Sequence, residues 1–153
     1  MAKRPSSSRP SRDERIRGEL FPDAEIFDTG TKGFVPVPID YRRLLRHMTP
    51  PQIRVWLYLQ LRSSKHGICF PTVDEIADEI GVKTSKHIRP QLRELERKGF
   101  IRSAKKSGRT YYLLQDPAAA VRRLMHLRDM SLEELREMNG LREDIGHQPI
   151  ELS

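Results

Sequence analysis

Residues 70–101 read FPTVDEIADEIGVKTSKHIRPQLRELERKGFI, and their pattern decides the fold. Thr72 and Glu75 have capping-box spacing and open a helix over VDEIADEI, with Ile76, Ala77 and Ile80 on one face. The acids of that helix fall in its first turns, where the helix dipole favours them. Gly81 stops it, at the position where glycine takes up a left-handed cap most cheaply. After the short turn GVKTS, the stretch KHIRPQLRELERKG spaces Ile88, Leu92 and Leu95 at i, i+4 and i+7, which defines the buried side of a further helix. At about 100° per residue, Lys86, Pro90, Arg93 and Arg97 lie roughly 140–200° from that side, so the bases form a stripe turned away from the core. Pro90 poses a choice. An interior proline costs about 3 kcal/mol or more, so either the regular helix starts late, with Pro90 in its first turn and Lys86 left on the turn before it, or the helix is kinked near Lys86. Gly99 ends this helix.

Charge concentrates around the same stretch. The chain has 153 residues and a formal net charge of +7. Residues 83–109 hold ten basic side chains against two acids, Glu94 and Glu96, a net of +8, while the other 126 residues together come to −1. A block of this kind points to a polyanionic partner; the alternative is a solvated, charge-rich surface. Immediately downstream, FIRSA and TYYLL flank KKSGR, which reads as a β-hairpin with a Gly-containing basic tip.

Upstream, VPVPI reads as extended, since each Pro lacks a donor and disfavours helix in the residue before it. Order is expected to begin near Phe34. Asp40 caps a short helix, YRRLLRH, with Leu44 and Leu45 facing inward. Thr49 opens the next helix, Pro50 sits at its first position and Gln52 completes a capping box. Ile53, Trp56, Leu57, Gln60 and Leu61 follow helical spacing, with Val55 and Leu59 widening the apolar face. Gly67 ends that region, ICF is a short strand, and Cys69 within it reads as a small buried hydrophobe. Residues 1–33 read as a disordered arm. Its first 18 residues are rich in Ser, Pro and Arg, with a net of +4 through Arg17, and carry too little apolar surface to offset chain entropy. Phe21, Ile26 and Phe27 in the next stretch would dock on the domain or on a partner.

The order helix, turn, helix, basic-tipped hairpin is the plan of a winged helix–turn–helix. The stretch 70–101 resembles the winged-helix domains of bacterial regulators and of plasmid and phage replication proteins, through Pro71-Thr72, Ile76-Ala77, Gly81-Val82, the Ile88/Leu92/Leu95 set and Lys98-Gly99-Phe100-Ile101. The interval between the two glycines is one residue longer than in MarR-type proteins and closer to LexA-type repressors. The preceding VPVPIDYRRLLRHMTPPQIRVWLYLQLRS looks like the first-helix region of replication-associated winged helices. The resemblance covers roughly residues 34–114. It implies that residues 85–98 are a recognition helix lying in the major groove of double-stranded DNA. Lys86, Arg89 and Arg93 would sit nearest bases or adjacent phosphates, and Arg97 would meet the backbone. Thr84 and Ser85 at the helix start would hold a phosphate. Lys105, Lys106 and Arg109 would carry the wing's contacts to phosphates or the minor groove.

Beyond the hairpin, Asp116-Pro117 caps AAAVRRLMHLRDM, with Val121, Leu124, Met125 and Arg128 on one side. Ser131 and Glu134 form a third capping box over LEELREMNG, which Asn139-Gly140 should stop. Residues 129–153 carry a net of −5. The expected organisation is therefore a basic arm (1–33), a winged helix–turn–helix (34–115) and a helical extension (116–153). That extension either pairs subunits into a homodimer or packs on its own domain. The fold class is mainly α with a small β-wing. No Walker-type loop, HExxH or G-x-S-x-G occurs, the five histidines stand singly, and one cysteine excludes an intramolecular disulfide. No catalytic residue, metal site or cofactor is expected, and the protein reads as a non-enzyme. With no run of 18 apolar residues and no apolar signal region, no membrane association is expected, and the location reads as cytoplasmic, with the nucleoid. Three functions fit: a sequence-specific transcriptional regulator, a replication or maintenance protein of a plasmid or phage, and a winged helix that binds protein without DNA.

Overall fold

The computed structural model describes residues 9–25, 33 and 35–152. The chain forms two compact units, Met1–Phe34 and Val35–Ser153. In the first, α1 (Arg12–Leu20) is a helix in the stretch expected to be disordered. Ser11 caps it by accepting from the Glu14 N–H, Asp13 and Glu14 occupy its first turn and Arg17 its last, the charge order a helix dipole prefers. It has no buried side chain, and Phe21 beyond it is exposed. Residues 1–8, Ile26, Phe27 and Phe34 lie outside the described residues.

The second unit runs α2 (Tyr41–Leu44), a 3₁₀ turn (Leu45–His47), α3 (Pro50–Arg62), β1 (Ile68–Cys69), α4 (Val73–Ile80), a 3₁₀ turn (Ser85–His87), α5 (Ile88–Arg97), β2 (Ile101–Lys106), β3 (Arg109–Leu114), α6 (Pro117–His126) and α7 (Leu132–Asp144). The strands form one antiparallel sheet in the order β1-β3-β2. Cys69 is buried as expected, and burial pushes its thiol pKa up.

Three local assignments change, one cap and two inward faces. Asp40 precedes α2 but makes no capping bond there; it accepts instead from Arg142 of α7 at 2.8 Å. Tyr41, Leu44 and Met48 are buried while Leu45 is 42% exposed, because the helix tightens after Leu44 and shifts the phase of residues 45–48. In α3 the capping box from Thr49 and Gln52 is formed in both directions. Its buried side is Gln52, Val55, Trp56, Tyr58 and Leu59, leaving Leu57 and Leu61 exposed. Nearly every residue from Ile53 to Leu61 is apolar, so spacing alone could not fix which side faces in. Trp56 stacks on Tyr41, with ring centroids 4.2 Å apart, and Tyr41 on Phe100, 6.2 Å apart.

No boundary falls at residue 115. Ala120, Val121, Leu124, Met130, Leu135, Met138 and Ile150 join the same core as α2–α5, so the helical extension packs on its own domain. Among the described residues, α7 is joined to the α2 region by ion pairs from Arg142 to Asp40, Arg43 to Glu137 at 3.2 Å and Arg46 to Glu134 at 3.3 Å, and by a hydrogen bond between His47 Nε2 and Glu134 at 3.2 Å. Met125 is half-buried as placed, but Arg128 is exposed, because the chain leaves α6 at Leu127 and Arg128 takes a positive φ. The Ser131–Glu134 capping box is formed, yet Asn139-Gly140 does not stop α7, which runs on to Asp144. Asn139 instead exchanges two hydrogen bonds with the backbone of Ile150, tying the returning tail to the helix. Among the described residues no helix is long and apolar enough to cross a membrane.

Candidate nucleic-acid interface

Pro90 resolves as a late start. Thr84 accepts from the Lys86 N–H, a 3₁₀ turn carries Ser85–His87, and α5 begins at Ile88. Pro90 then occupies the first helical turn, where its missing N–H costs nothing. Lys86 is left on the turn, and the first cations on regular helix are Arg89 and Arg93, both exposed. Ile88, Leu92 and Leu95 are buried as the spacing required, and they hold this cationic stripe outward. The Thr84 hydroxyl accepts within the turn and keeps its own proton to donate. Ser85 is half-buried.

The helix ends with Gly99 at φ +86°, where the Phe100 N–H returns to the Leu95 carbonyl. A Cβ at Gly99 would also lie 2.7 Å from the Arg123 Cβ and 3.2 Å from the Ala120 Cα, so glycine is needed both for the turn and for the approach of α6. The chain then enters the wing. Lys106 pairs with Arg109 across a two-residue loop, Ser107-Gly108, in which both residues have positive φ. That geometry matches the right-handed twist of a hairpin.

Strand alternation splits the wing's cations. Ile101, Ser103, Lys105, Thr110 and Tyr112 share the face turned toward α5, whereas Arg102, Ala104, Lys106 and Leu113 share the other. Between α5 and the first face lies a groove of about 370 Å³, floored by Val73, Leu92, Ile101 and Tyr112 and rimmed by Arg89, Arg93 and Lys105. Lys105 and Lys106, expected to act together at the wing tip, therefore point to opposite faces. Arg109 lies over the ring of Phe70, its guanidinium carbon 4.6 Å from the centroid.

Both acids of the basic block are committed locally. Glu94 holds Arg97 through three hydrogen bonds of 2.9–3.2 Å, and the Arg97 guanidinium holds the Glu94 carboxyl below its usual range. Arg97 is thus already paired on its own helix, unlike the cations nearer the groove. Glu96 accepts from the Ser103 N–H at 2.7 Å and from its hydroxyl at 2.9 Å, clamping β2 to α5. Lys98 turns inward: its Nζ donates to the His47 carbonyl at 2.7 Å and to Gln52 Oε1 at 2.9 Å, and burial lowers its pKa. Among the described residues Lys83, Lys86, Arg89, Arg93, Arg102, Lys105 and Lys106 pair with no acid. The roles of Glu96 and Lys98 escape a reading of the sequence because they depend on the wing and α3 folding back onto α5. Lys83 and Arg102 are legible there only as part of the charge block.

Residues 46–101, a little over a third of the chain, match the family model described as a helix-turn-helix domain. The match runs from the 3₁₀ turn before α3 to the first residue of β2. The fold is a winged helix–turn–helix. Two solved structures are similar to it at low identity. One, described as a transcriptional regulator, is 21% identical over 70% of this chain and 82% of its own, with a TM-score of 0.41. The other, a MepR mutant from S. aureus, is 19% identical over 69% of this chain and 83% of its own, with a TM-score of 0.40. No curated protein matches the chain. Within the winged helix, α4 and α5 form the helix–turn–helix pair, and the β2–β3 hairpin is the wing. No group of three or more potential metal ligands occurs among the described residues.

Proposed function

We propose that the winged helix binds double-stranded DNA in a sequence-dependent way and acts as a transcriptional regulator. One observation carries the reading: the unpaired cations Arg89 and Arg93 of α5 and Lys105 of the wing flank a single groove, while both acids in the block are turned to structural bonds. Arg89 and Arg93 are the base-reading candidates, since an Arg fork matches guanine O6 and N7. Lys86, Thr84 and Ser85 meet phosphates at the start of α5, and Arg97, held by Glu94, meets the backbone further along. Lys105 works from the groove side of the wing, and Lys106 and Arg109 from its tip. With the apolar faces of α6 and α7 already buried in the domain, a homodimer on two-fold half-sites would use their exposed flanks, where Leu132 and Ile145 remain uncovered.

Titrating labelled duplex at several salt concentrations tests the proposal. Each phosphate neutralised contributes a slope of about −0.9 to log K against log salt. The expected result is a steep slope and a preference for some sequences over others. A flat response, or no binding at low salt, overturns it.

A further inference from the structure

A second feature lies at the mouth of the groove. Phe70, just before α4, is 48% exposed, although a phenyl ring ordinarily supplies much buried area. Tyr111 of the wing stands against it, ring centroids 5.5 Å apart and planes tilted by 56°. Arg109 covers one face of the Phe70 ring as a flat cation. Phe70 and Arg109 line a cavity of about 590 Å³ whose walls also carry Arg62, Arg89 and Lys105, together with the acid Glu75. Glu75 is itself within 3.6 Å of Arg62.

We propose that Phe70, backed by Tyr111 and covered by Arg109 in the free protein, is a stacking site for one unpaired nucleobase next to the duplex. The proposal rests on the DNA-binding reading above and adds a second kind of ligand to it. Three properties favour a nucleotide. The ring presents a π-face that any base can cover, and base–aromatic stacking is tolerant of sequence. The cavity has the size of a small-molecule site. A purely apolar occupant would strip water from Arg89, Lys105 and Arg109 without pairing them, at a large cost. A nucleotide brings both a planar base and a phosphate. The incoming base takes the place of the guanidinium on Phe70, and Arg109, so released, pairs with the phosphate of the same nucleotide. The wing tip would thus hold DNA more tightly where a strand end, bulge or opened step supplies a free base.

The test uses the full chain and three labelled probes: a blunt duplex, the same duplex with a short single-stranded extension, and that extension built from abasic nucleotides that keep their phosphates. Stacking of one base predicts about five-fold or more tighter binding of the base-bearing extension than of either other probe. That ratio should fall to about one in Phe70→Leu, which keeps an apolar side chain, and survive in Phe70→Trp. Equal affinity for all three probes overturns the proposal. So does an abasic extension that binds as tightly as the base-bearing one, because charge alone would then explain the gain. The two readings fail separately: steep salt-dependent binding of the blunt duplex without an extension effect removes only the stacking site. Absence of duplex binding removes the regulator reading, and the isolated strand compared with its abasic form still reads the stacking site directly.

Discussion

At the residue scale, the bases of this domain divide by what their neighbours ask of them. Lys98 and Arg97 are adjacent in sequence, yet Lys98 is drawn inward to the His47 carbonyl and Gln52, and Arg97 lies along Glu94. Arg93, one turn earlier, has neither partner. Charge counting treats all three alike; the packing of α5 against α3 sets Lys98 apart, and Glu94 on the same helix sets Arg97 apart. Arg93 lines the groove between α5 and the wing, whereas strand alternation leaves Lys106 on the far face of the wing. Replacing each by Ala therefore has different consequences. Arg93→Ala should cost about 1–3 kcal/mol at a preferred site and much less on random DNA, because a base-edge contact is lost. Lys106→Ala should weaken all sequences to a similar degree and make the salt slope shallower by about 1, because a phosphate contact is lost. Parallel titrations of preferred and random duplexes check both; equal losses from the two substitutions would remove Arg93 from base reading.

At the element scale, helix starts are far easier to read from sequence than helix ends or faces. Thr49, Thr72, Asp116 and Ser131 each cap the helix that the spacing assigns to them, because a cap is a local bond between a side chain and a backbone N–H two or three residues on. Pro90 is readable for the same reason, since its steric demands involve only the preceding turn. Faces are harder. In α3 the choice between Leu57 and Tyr58 as the buried neighbour of Trp56 depends on where α4 and the sheet lie, and apolar residues all around the helix erase the local signal. The end of α7 misleads differently. Asn-Gly is a strong stop in isolation, but Asn139 is held by both hydrogen bonds to Ile150, a contact eleven residues away, and the helix continues through Gly140. Gly140 has ordinary helical backbone there, and nothing lies within 4 Å of where a Cβ would stand. Gly140→Ala should therefore stabilise the protein by about 0.5–1 kcal/mol, by removing the entropy that glycine loses in a helix. Urea denaturation of the two proteins measures it, and a fall in the transition midpoint would show that α7 needs glycine at that position for a reason beyond the backbone.

At the scale of the whole molecule, the sequence suggests a modular chain, and the structure joins two of the three expected modules. The charge turns acidic at residue 129, inside the expected helical extension, and sets that segment apart from the basic block. In the fold that acidity is the charge of the outer surface of α7, while the inner surface is apolar and belongs to the same core as α3 and α5. Charge is read from all side chains, whereas domain boundaries are set by the buried ones alone, so the two can disagree. The consequence is that the winged helix should not stand without its C-terminal helices. Ending the chain at Gln115 would uncover the surfaces that Ala120, Val121, Leu124, Met130, Leu135, Met138 and Ile150 now fill. Burial of a large aliphatic side chain is worth about 1.5–3 kcal/mol, so the loss is on the order of 10 kcal/mol, comparable with the whole stability of an ordinary domain, about 5–15 kcal/mol. It would also leave Asp40, buried at 3% exposure, without Arg142. Thermal melts monitored by circular dichroism should show one cooperative transition for the full chain and none for the chain ending at Gln115. A cooperative transition in the shorter chain, with dispersed amide resonances, would mean that residues 35–115 form a core sufficient by themselves and that α6 and α7 are an accessory layer.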